Sequence, residues 1–285
     1  MLGLIGRTLR SPRMLVALAM VLLIAVCAAF AGLIAPHDPG EQHLLSILAP
    51  PAWAAGGDPH FPLGTDSLGR DVLSRLIYAA RTAMLVAFCA ALGAMIIGSI
   101  LAHISGYFGG AVDWIIGRLV DVWMSFPPVI LSLVLMVGLG VGLDRVILAI
   151  VLVDWTRFCR VLHSEVLIVR RRDYVDAARL LGFTHWQTIV REILPATLPL
   201  LITLFSLEMA IAVVVEAILS FVGLGVGPDQ VAWGQMIADA RQYVYQSPWN
   251  LLLPILAIFF AVAAFNLLGD GLRRRLDVRL AQTER

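Results

Sequence analysis

The sequence predicts an all-α integral membrane protein with six transmembrane helices. Of the 285 residues, 60% are hydrophobic and 14% are charged, whereas soluble domains contain about 45–50% apolar and about 25% charged residues. Several runs without charges also reach the roughly 20 residues that a helix needs to cross the hydrocarbon core. Lipid is therefore the main solvent of this chain.

Six apolar runs are candidates for the spans. The first run is longer than the roughly 7–15 residues of a secretory h-region, so we expect it to remain as an uncleaved anchor. Four runs contain no charge, whereas the fourth span requires Asp154 inside the membrane and the fifth requires Glu208 and Glu216 there. In chain order the runs are 14–34, 83–102, 122–143, 146–156, 198–222 and 251–269.

The distribution of basic residues predicts the orientation of the chain. All 21 basic residues are arginines. With the N-terminus in the cytoplasm, the six spans leave only Arg70, Arg75, Arg81, Arg145 and Arg241 outside the cell. Short cytoplasmic loops carry an excess of basic residues, so we expect both termini in the cytoplasm.

The second span carries small residues at every fourth position, namely Ala94, Gly98, Ala102 and Gly106. Such a stripe lets helix backbones approach closely in lipid, so this face is expected to pack on a neighbouring helix. The spans also divide the chain into four segments: an N-terminal tail with its anchor helix (1–35), an outside segment (36–81), a core (82–272) and a basic cytoplasmic tail (273–285). Within the core we expect a cytoplasmic turn (106–121) and an outside loop (223–248) that contains a helix (233–245).

The cytoplasmic segment 163–199 is not built like an ordinary membrane loop, because its sequence predicts two short helices joined by a hinge. Asp173 is expected to cap the first helix, and Asp176 lies in the same first turn, at the positive end of the helix dipole. Gly182 supplies the left-handed residue that ends this helix.

The second helix of this segment opens with Thr184 and Gln187, which predict a Thr-x-x-Gln capping box. Pro195 is expected to close the helix. The apolar face of such a helix pair packs on the span ends of its own chain, lies in the membrane interface or docks on a partner. Between the cap and the proline, apolar residues at helical spacing predict one apolar stripe: Trp186, Ile189, Val190, Ile193 and Leu194.

The string Asp176-Ala177-Ala178, followed by Gly182 and then by Leu194-Pro195, resembles the EAA loop of bacterial ABC importer permeases, with Asp in place of Glu. Further strings resemble the C-type permease of the dipeptide, oligopeptide and nickel importers, from about residue 58 to residue 278. They are 60–71 (HFPLGTDSLGRD), 106–110 (GYFGG), 219–225 (LSFVGLG), 233–234 (WG) and 266–270 (NLLGD).

This resemblance implies a type I ABC importer permease fold, with one N-terminal anchor helix and a five-helix core, in the bacterial inner membrane. In that family the loop is a coupling helix that docks on an ATPase. The implied partners are two ABC ATPase subunits, a second permease of the B type and an extracytoplasmic substrate-binding protein. ATP and Mg²⁺ would be bound by the ATPases. Short peptides are the first substrate expectation, and nickel complexes or another small solute are the alternatives.

The absence of lysine excludes a P-loop, whose Gly-x-x-x-x-Gly-Lys-Ser/Thr motif needs that residue to reach the phosphates. We therefore expect a transport subunit that has no ATPase activity and no cofactor of its own. A secondary transporter that works alone is the alternative of another class, although the inverted repeats typical of such proteins are not visible. The histidines and cysteines show no metal-ligand spacing, so no metal site is expected.

Charged groups inside spans tend to face a cavity or a partner. Glu208 and Glu216 are eight residues apart and so project toward the same side of a helix. They either line a translocation path or make buried structural hydrogen bonds, and the second interpretation is favoured for Glu216. Asp154 and Arg157, three residues apart, are expected to pair. The arginines at 170–172 are a topology signal, a lipid-binding patch or part of an ATPase contact.

Overall fold

A computed structural model describes residues 12–227 and 229–276, and these residues form helices and loops without a β-strand. The predicted tails fall largely outside the described residues. The all-helical class is confirmed within them. The helices are α1 (Pro12–Ala29), α2 (Ala31–Ile34), α3 (Val72–Phe108), α4 (Gly110–Met124), α5 (Pro128–Leu139), α6 (Leu143–Val169), α7 (Asp173–Leu180), α8 (His185–Thr188), a π-helix (Ile189–Ile193), α9 (Leu194–Phe221), α10 (Trp233–Ala240), a 3₁₀ turn (Arg241–Tyr243) and α11 (Pro248–Leu276).

Three helical stretches are long and apolar enough to cross a membrane: Val72–Phe108, His185–Phe221 and Pro248–Arg273. A fourth span results if α4 and α5, which meet at an angle of 87°, are counted together. The N-terminal helix contributes a shorter apolar stretch, Met14–Ala29. The count of six spans therefore stays a prediction.

The short turn expected at 106–121 is wrong, because most of it is helical, and the apolar run expected as a span at 122–143 is broken into two helices. Gly109 and Gly110 have φ values of 67° and 59° and separate α3 from α4, because a backbone with positive φ cannot continue a right-handed helix. The chain then forms α4, which covers most of the expected turn. Pro127 disfavours a helical conformation for the residue before it, so the apolar run breaks there and resumes as α5.

The small-residue stripe of α3 packs on α6, as predicted. A Cβ atom on Gly98 would lie 2.4 Å from the Trp155 carbonyl oxygen, and one on Gly106 would lie 2.7 Å from Val166 Cγ1. Ala94 and Ala102 are fully buried on the same face. Backbone contact between the two helices is possible only because these positions lack bulk.

The segment between α2 and α3 is an ordered loop, and α3 begins well before the apolar run that predicted it. The Asp71 carboxylate caps α3 by accepting hydrogen bonds from the Ser74 amide at 3.0 Å and the Ser74 hydroxyl at 2.5 Å. The loop is fastened to the C-terminal helices, because Asn250 Nδ2 donates to the Thr65 carbonyl at 2.9 Å and Arg70 pairs with Asp239 at 3.3 Å. The predicted helix near 233–245 is present as α10 and the 3₁₀ turn.

Candidate functional site

The two short helices predicted in segment 163–199 are α7 and α8, and we call residues 173–193 the hairpin. Asp173 is the first residue of α7 and not its cap. The N-cap position is taken by Arg172, which makes no side-chain capping bond. The capping prediction is therefore wrong by one residue, although Asp173 and Asp176 both lie in the first turn, where the helix dipole favours negative charge.

The hinge between α7 and α8 has the predicted geometry. Gly182 has a φ of 86°, and its amide donates to the Arg179 carbonyl at 3.0 Å. The Phe183 amide donates to the Ala178 carbonyl at 3.1 Å. This pair of bonds is the Schellman motif that ends many helices at a left-handed glycine.

The capping box at the start of α8 is confirmed. The Thr184 amide donates to Gln187 Oε1 at 2.9 Å, and the Gln187 amide donates to Thr184 Oγ1 at 3.3 Å. Two amides that have no partner inside the helix are thereby satisfied. The hairpin thus has defined ends at both of its inner helix termini.

Pro195 does not close the second helix, contrary to the prediction. The helix runs without interruption from His185 to Phe221, and its residues Ile189–Ile193 form a π turn. Proline has no amide hydrogen and crowds the carbonyl four residues earlier in an α-helix. The wider π turn ends at Ile193, two residues before Pro195, and removes this conflict, so α8 and α9 form one continuous helix.

The predicted apolar stripe is divided between two surfaces. Ile189 and Ile193 are buried against Val175 of α7, whereas Trp186 and Val190 are 60% and 56% exposed. The interruption of the helical period by the π turn explains the division. Leu180 and Leu181, at the end of α7, are also 89% and 80% exposed. We call these four exposed residues, Leu180, Leu181, Trp186 and Val190, the apolar patch.

Tyr107 connects the hairpin to the end of α3, a role that the sequence did not reveal. Its ring is 3% exposed and packs in one cluster with the buried valines and isoleucines of α6 and the hairpin. Its hydroxyl oxygen lies 2.9 Å from His185 Nδ1, and the Arg179 guanidinium lies 5.0 Å from its ring centre. The available signal was the string GYFGG, which contributed only to the family resemblance.

A buried charge cluster joins α6 to α9. Arg157 Nη2 lies 3.6 Å from Asp154 Oδ1, which confirms the predicted pair, and Arg157 Nη1 lies 3.1 Å from Glu208 Oε2. Asp154 and Glu208 are 4% and 2% exposed. The Arg157 side chain is 37% exposed. The Arg157 guanidinium therefore pairs with two buried carboxylates, and it is the most exposed member of the cluster.

Glu216 lies apart from that cluster. Its carboxylate accepts a hydrogen bond from Ser220 Oγ at 2.6 Å, within α9, and it is 1% exposed. Glu208 and Glu216 are thus both buried, but each has its own partner. Whether either one lines a translocation path stays a prediction. The described residues contain no group of three His, Cys, Asp or Glu side chains arranged to hold a metal ion.

Comparison with known proteins defines the class of this helical membrane protein. Residues 94–282 match the family described as the binding-protein-dependent transport system inner membrane component, and residues 5–51 match the N-terminal transmembrane domain of oligopeptide transport permease C. The chain belongs to the binding-protein-dependent transport family, whose members are membrane permease components of ABC importers.

Three relatives are similar to this chain over almost their whole length, and they are named as peptide or nickel permeases. The dipeptide transport system permease protein DppC of Escherichia coli K12 is 41% identical over 273 residues, which cover 96% of this chain and 91% of the relative. The di/tripeptide permease DppC of Pseudomonas aeruginosa is 39% identical over 263 residues, covering 92% and 87%. The nickel transport permease NikC of E. coli K12 is 38% identical over 264 residues, covering 93% of each.

Proposed function

We propose that this chain forms half of the translocation pathway of an ABC importer for short peptides and takes its energy from separate ATPase subunits. The observation that carries the proposal is the hairpin, which packs in a buried cluster with residues of α3 and α6 but leaves the apolar patch exposed. Large apolar side chains that stay exposed on a structured segment are candidates for a protein interaction site. An ATPase that docks on this patch would bury it.

The mechanism follows from how the hairpin is connected. The second helix of the hairpin continues directly into α9, and Tyr107 links the same hairpin to the end of α3. A push on the hairpin would therefore be transmitted to α9, which carries Glu208, and to the end of α3. In the proposed cycle, two ATPases that bind ATP and Mg²⁺ close on each other and drive this motion in the chain and in a second permease.

The proposed topology has six spans, with both termini and the hairpin in the cytoplasm. Besides the three stretches that are long and apolar enough on their own, it needs α1, α6 and the bent pair of α4 and α5 to cross the membrane. The arginine distribution supports this orientation. The loop 36–71 and α10 would then lie on the outer side, where an extracytoplasmic binding protein delivers substrate.

Short peptides are the proposed substrates because two of the similar relatives are named as dipeptide or di/tripeptide permeases. The similarity to a nickel permease is nearly as great, so a nickel complex is the second candidate. Cells that lack this chain should lose uptake of labelled dipeptides and keep uptake of nickel. Loss of nickel uptake alone would reverse the substrate assignment.

Replacement of the patch residues tests the docking role directly. The double variant Leu180→Ser, Leu181→Ser should insert in the membrane normally, because both side chains are exposed, but should lose the ATPase subunits during purification. The matched control is Leu45→Ser, a fully exposed leucine in the loop before α3. Retention of the ATPases by the patch variant, at the level of the control, would contradict the proposal.

A further inference from the structure

A shallow, open cavity lies where the end of α6 meets the first helix of the hairpin. Its volume is about 330 Å³, close to the lower end of the ~300–1,000 Å³ typical of ligand pockets. The cavity does not belong to the apolar patch. Its lining consists of Leu167, Arg170, Arg171, Asp176 and Arg179.

The charges around this cavity do not balance. Three guanidinium groups face one carboxylate, and that carboxylate, Asp176, pairs with Arg179 at 3.3 Å. In the part of the chain that the structure describes, Arg170 and Arg171 have no ion pair. Guanidinium groups that gather without counter-charges indicate a site for an anion, and their planar forks match the geometry of phosphate oxygens.

Two of the three arginines are already held in place. Arg170 Nη1 donates to the Gly106 carbonyl at 3.3 Å, and its guanidinium lies 5.9 Å from the ring centre of Tyr107. The Arg179 guanidinium lies 5.0 Å from the same ring. A shared, buried aromatic ring therefore positions both groups before any ligand arrives, which reduces the cost of ordering them on binding.

The position of the cavity favours the phosphate of a lipid headgroup over a soluble phosphate. It follows the last apolar turn of α6 directly, and Ile168 in that turn is 50% exposed. In the proposed topology this level is the inner edge of the bilayer. Basic pockets at the cytoplasmic ends of membrane helices are suited to anionic lipid headgroups.

We propose that this cavity binds the phosphate of an anionic phospholipid, with Arg170, Arg171 and Arg179 as its ligands. The bound lipid would tie the end of α6 to α7 and fix the hairpin relative to the membrane surface. The inference rests on the proposed topology, but its test counts bound lipid and does not depend on ATP hydrolysis or uptake.

The experiment uses the chain in its complete transport complex, reconstituted in phosphatidylcholine nanodiscs with increasing phosphatidylglycerol. Native mass spectrometry counts the phosphatidylglycerol molecules that stay bound after release. We expect a first binding step that Arg171→Gln weakens about tenfold or more, the effect of losing one charge-assisted hydrogen bond to the phosphate. Arg179→Gln, a second variant, should weaken it at least as much.

Arg172→Gln is the matched control. Arg172 is adjacent and exposed like Arg171, but it does not line the cavity, so its replacement should leave the first binding step unchanged. An equal loss in this variant would show diffuse surface attraction and overturn the proposal. Displacement of the lipid by millimolar inorganic phosphate would assign the site to a soluble anion, and absence of binding whenever the ATPases are present would assign it to the protein contact. Either result would overturn the lipid assignment.

Discussion

Arg157 is the residue on which the buried charge cluster depends, because it is the cation shared by Asp154 and Glu208. Replacement of Arg157 by Leu leaves two buried carboxylates without a counter-charge, and we expect a loss of about 3 kcal/mol in stability, the lower end for a broken buried pair. Glu208→Gln should cost less, since Arg157 keeps Asp154. Thermal unfolding of the purified protein measures both effects.

The control for this prediction is Arg118→Leu. Arg118 pairs with Asp121 at 3.5 Å, but both side chains are exposed, and surface pairs contribute about 0–1 kcal/mol. If Arg157→Leu were no more destabilising than Arg118→Leu, the cluster would not stabilise the fold.

Gly182 gives a second prediction at the residue scale. Among the described residues, a Cβ atom there would meet nothing within 4 Å, so the effect of substitution comes from the backbone, whose φ is 86°. Gly182→Val should abolish peptide uptake while membrane insertion persists, because a left-handed conformation costs an L-residue about 1–2 kcal/mol and a β-branched one more. Gly182→Asn should keep most of the uptake. Equal uptake by the Val variant and the wild type would contradict the coupling role.

Local spacing predicted the single-residue contacts whose partners are close in sequence. The Asp154–Arg157 pair and the Thr184–Gln187 box both follow from helical geometry over three residues. The contacts Arg157–Glu208 and Tyr107–His185 join residues far apart in the chain, and no periodicity within one helix encodes them. Only the packing of α6 on α9, and of α3 on the hairpin, brings them together.

Among whole helices, the predictions failed where proline or glycine acts in a tertiary context. Pro195 was expected to end a helix, but the π turn before it lets the helix continue. The apolar run at 122–143 was expected as one span, but the chain bends by 87° between α4 and α5. Composition and hydropathy reveal the length of an apolar run, but they do not reveal whether the helix bends within it.

The close packing of α3 on α6 yields the prediction at this scale. Gly98→Ala should lower stability by about 1–3 kcal/mol, the usual cost of overpacking, because the added Cβ would lie 2.4 Å from a backbone oxygen of Trp155. Gly117→Ala is the matched control, since no atom of residues 12–227 or 229–276 lies within 4 Å of a Cβ at that position. Thermal unfolding in detergent should show a lower midpoint for the first variant only, and equal midpoints would contradict the packing account.

For the molecule as a whole, the sequence predicted the class, the family and the position of the hairpin. The apolar runs and the ordered motifs were sufficient for these conclusions, and the family comparisons confirm the first two. The interior arrangement was not predictable to the same degree. Uncharged helices in lipid pack by the complementary shapes of their surfaces. The sequence shows where the small residues lie, but it does not show which helix they contact.

We propose above all that separate ATPase subunits supply the energy for transport by acting on the hairpin of this chain. The most direct measurement is accumulation of a labelled dipeptide by liposomes that contain either the purified chain alone or the chain with a second permease, two ATPases and a binding protein. We predict ATP-dependent accumulation by the complete complex and none by the chain alone, with or without an ion gradient. Uphill accumulation by the chain alone, driven by an ion gradient, would contradict the account.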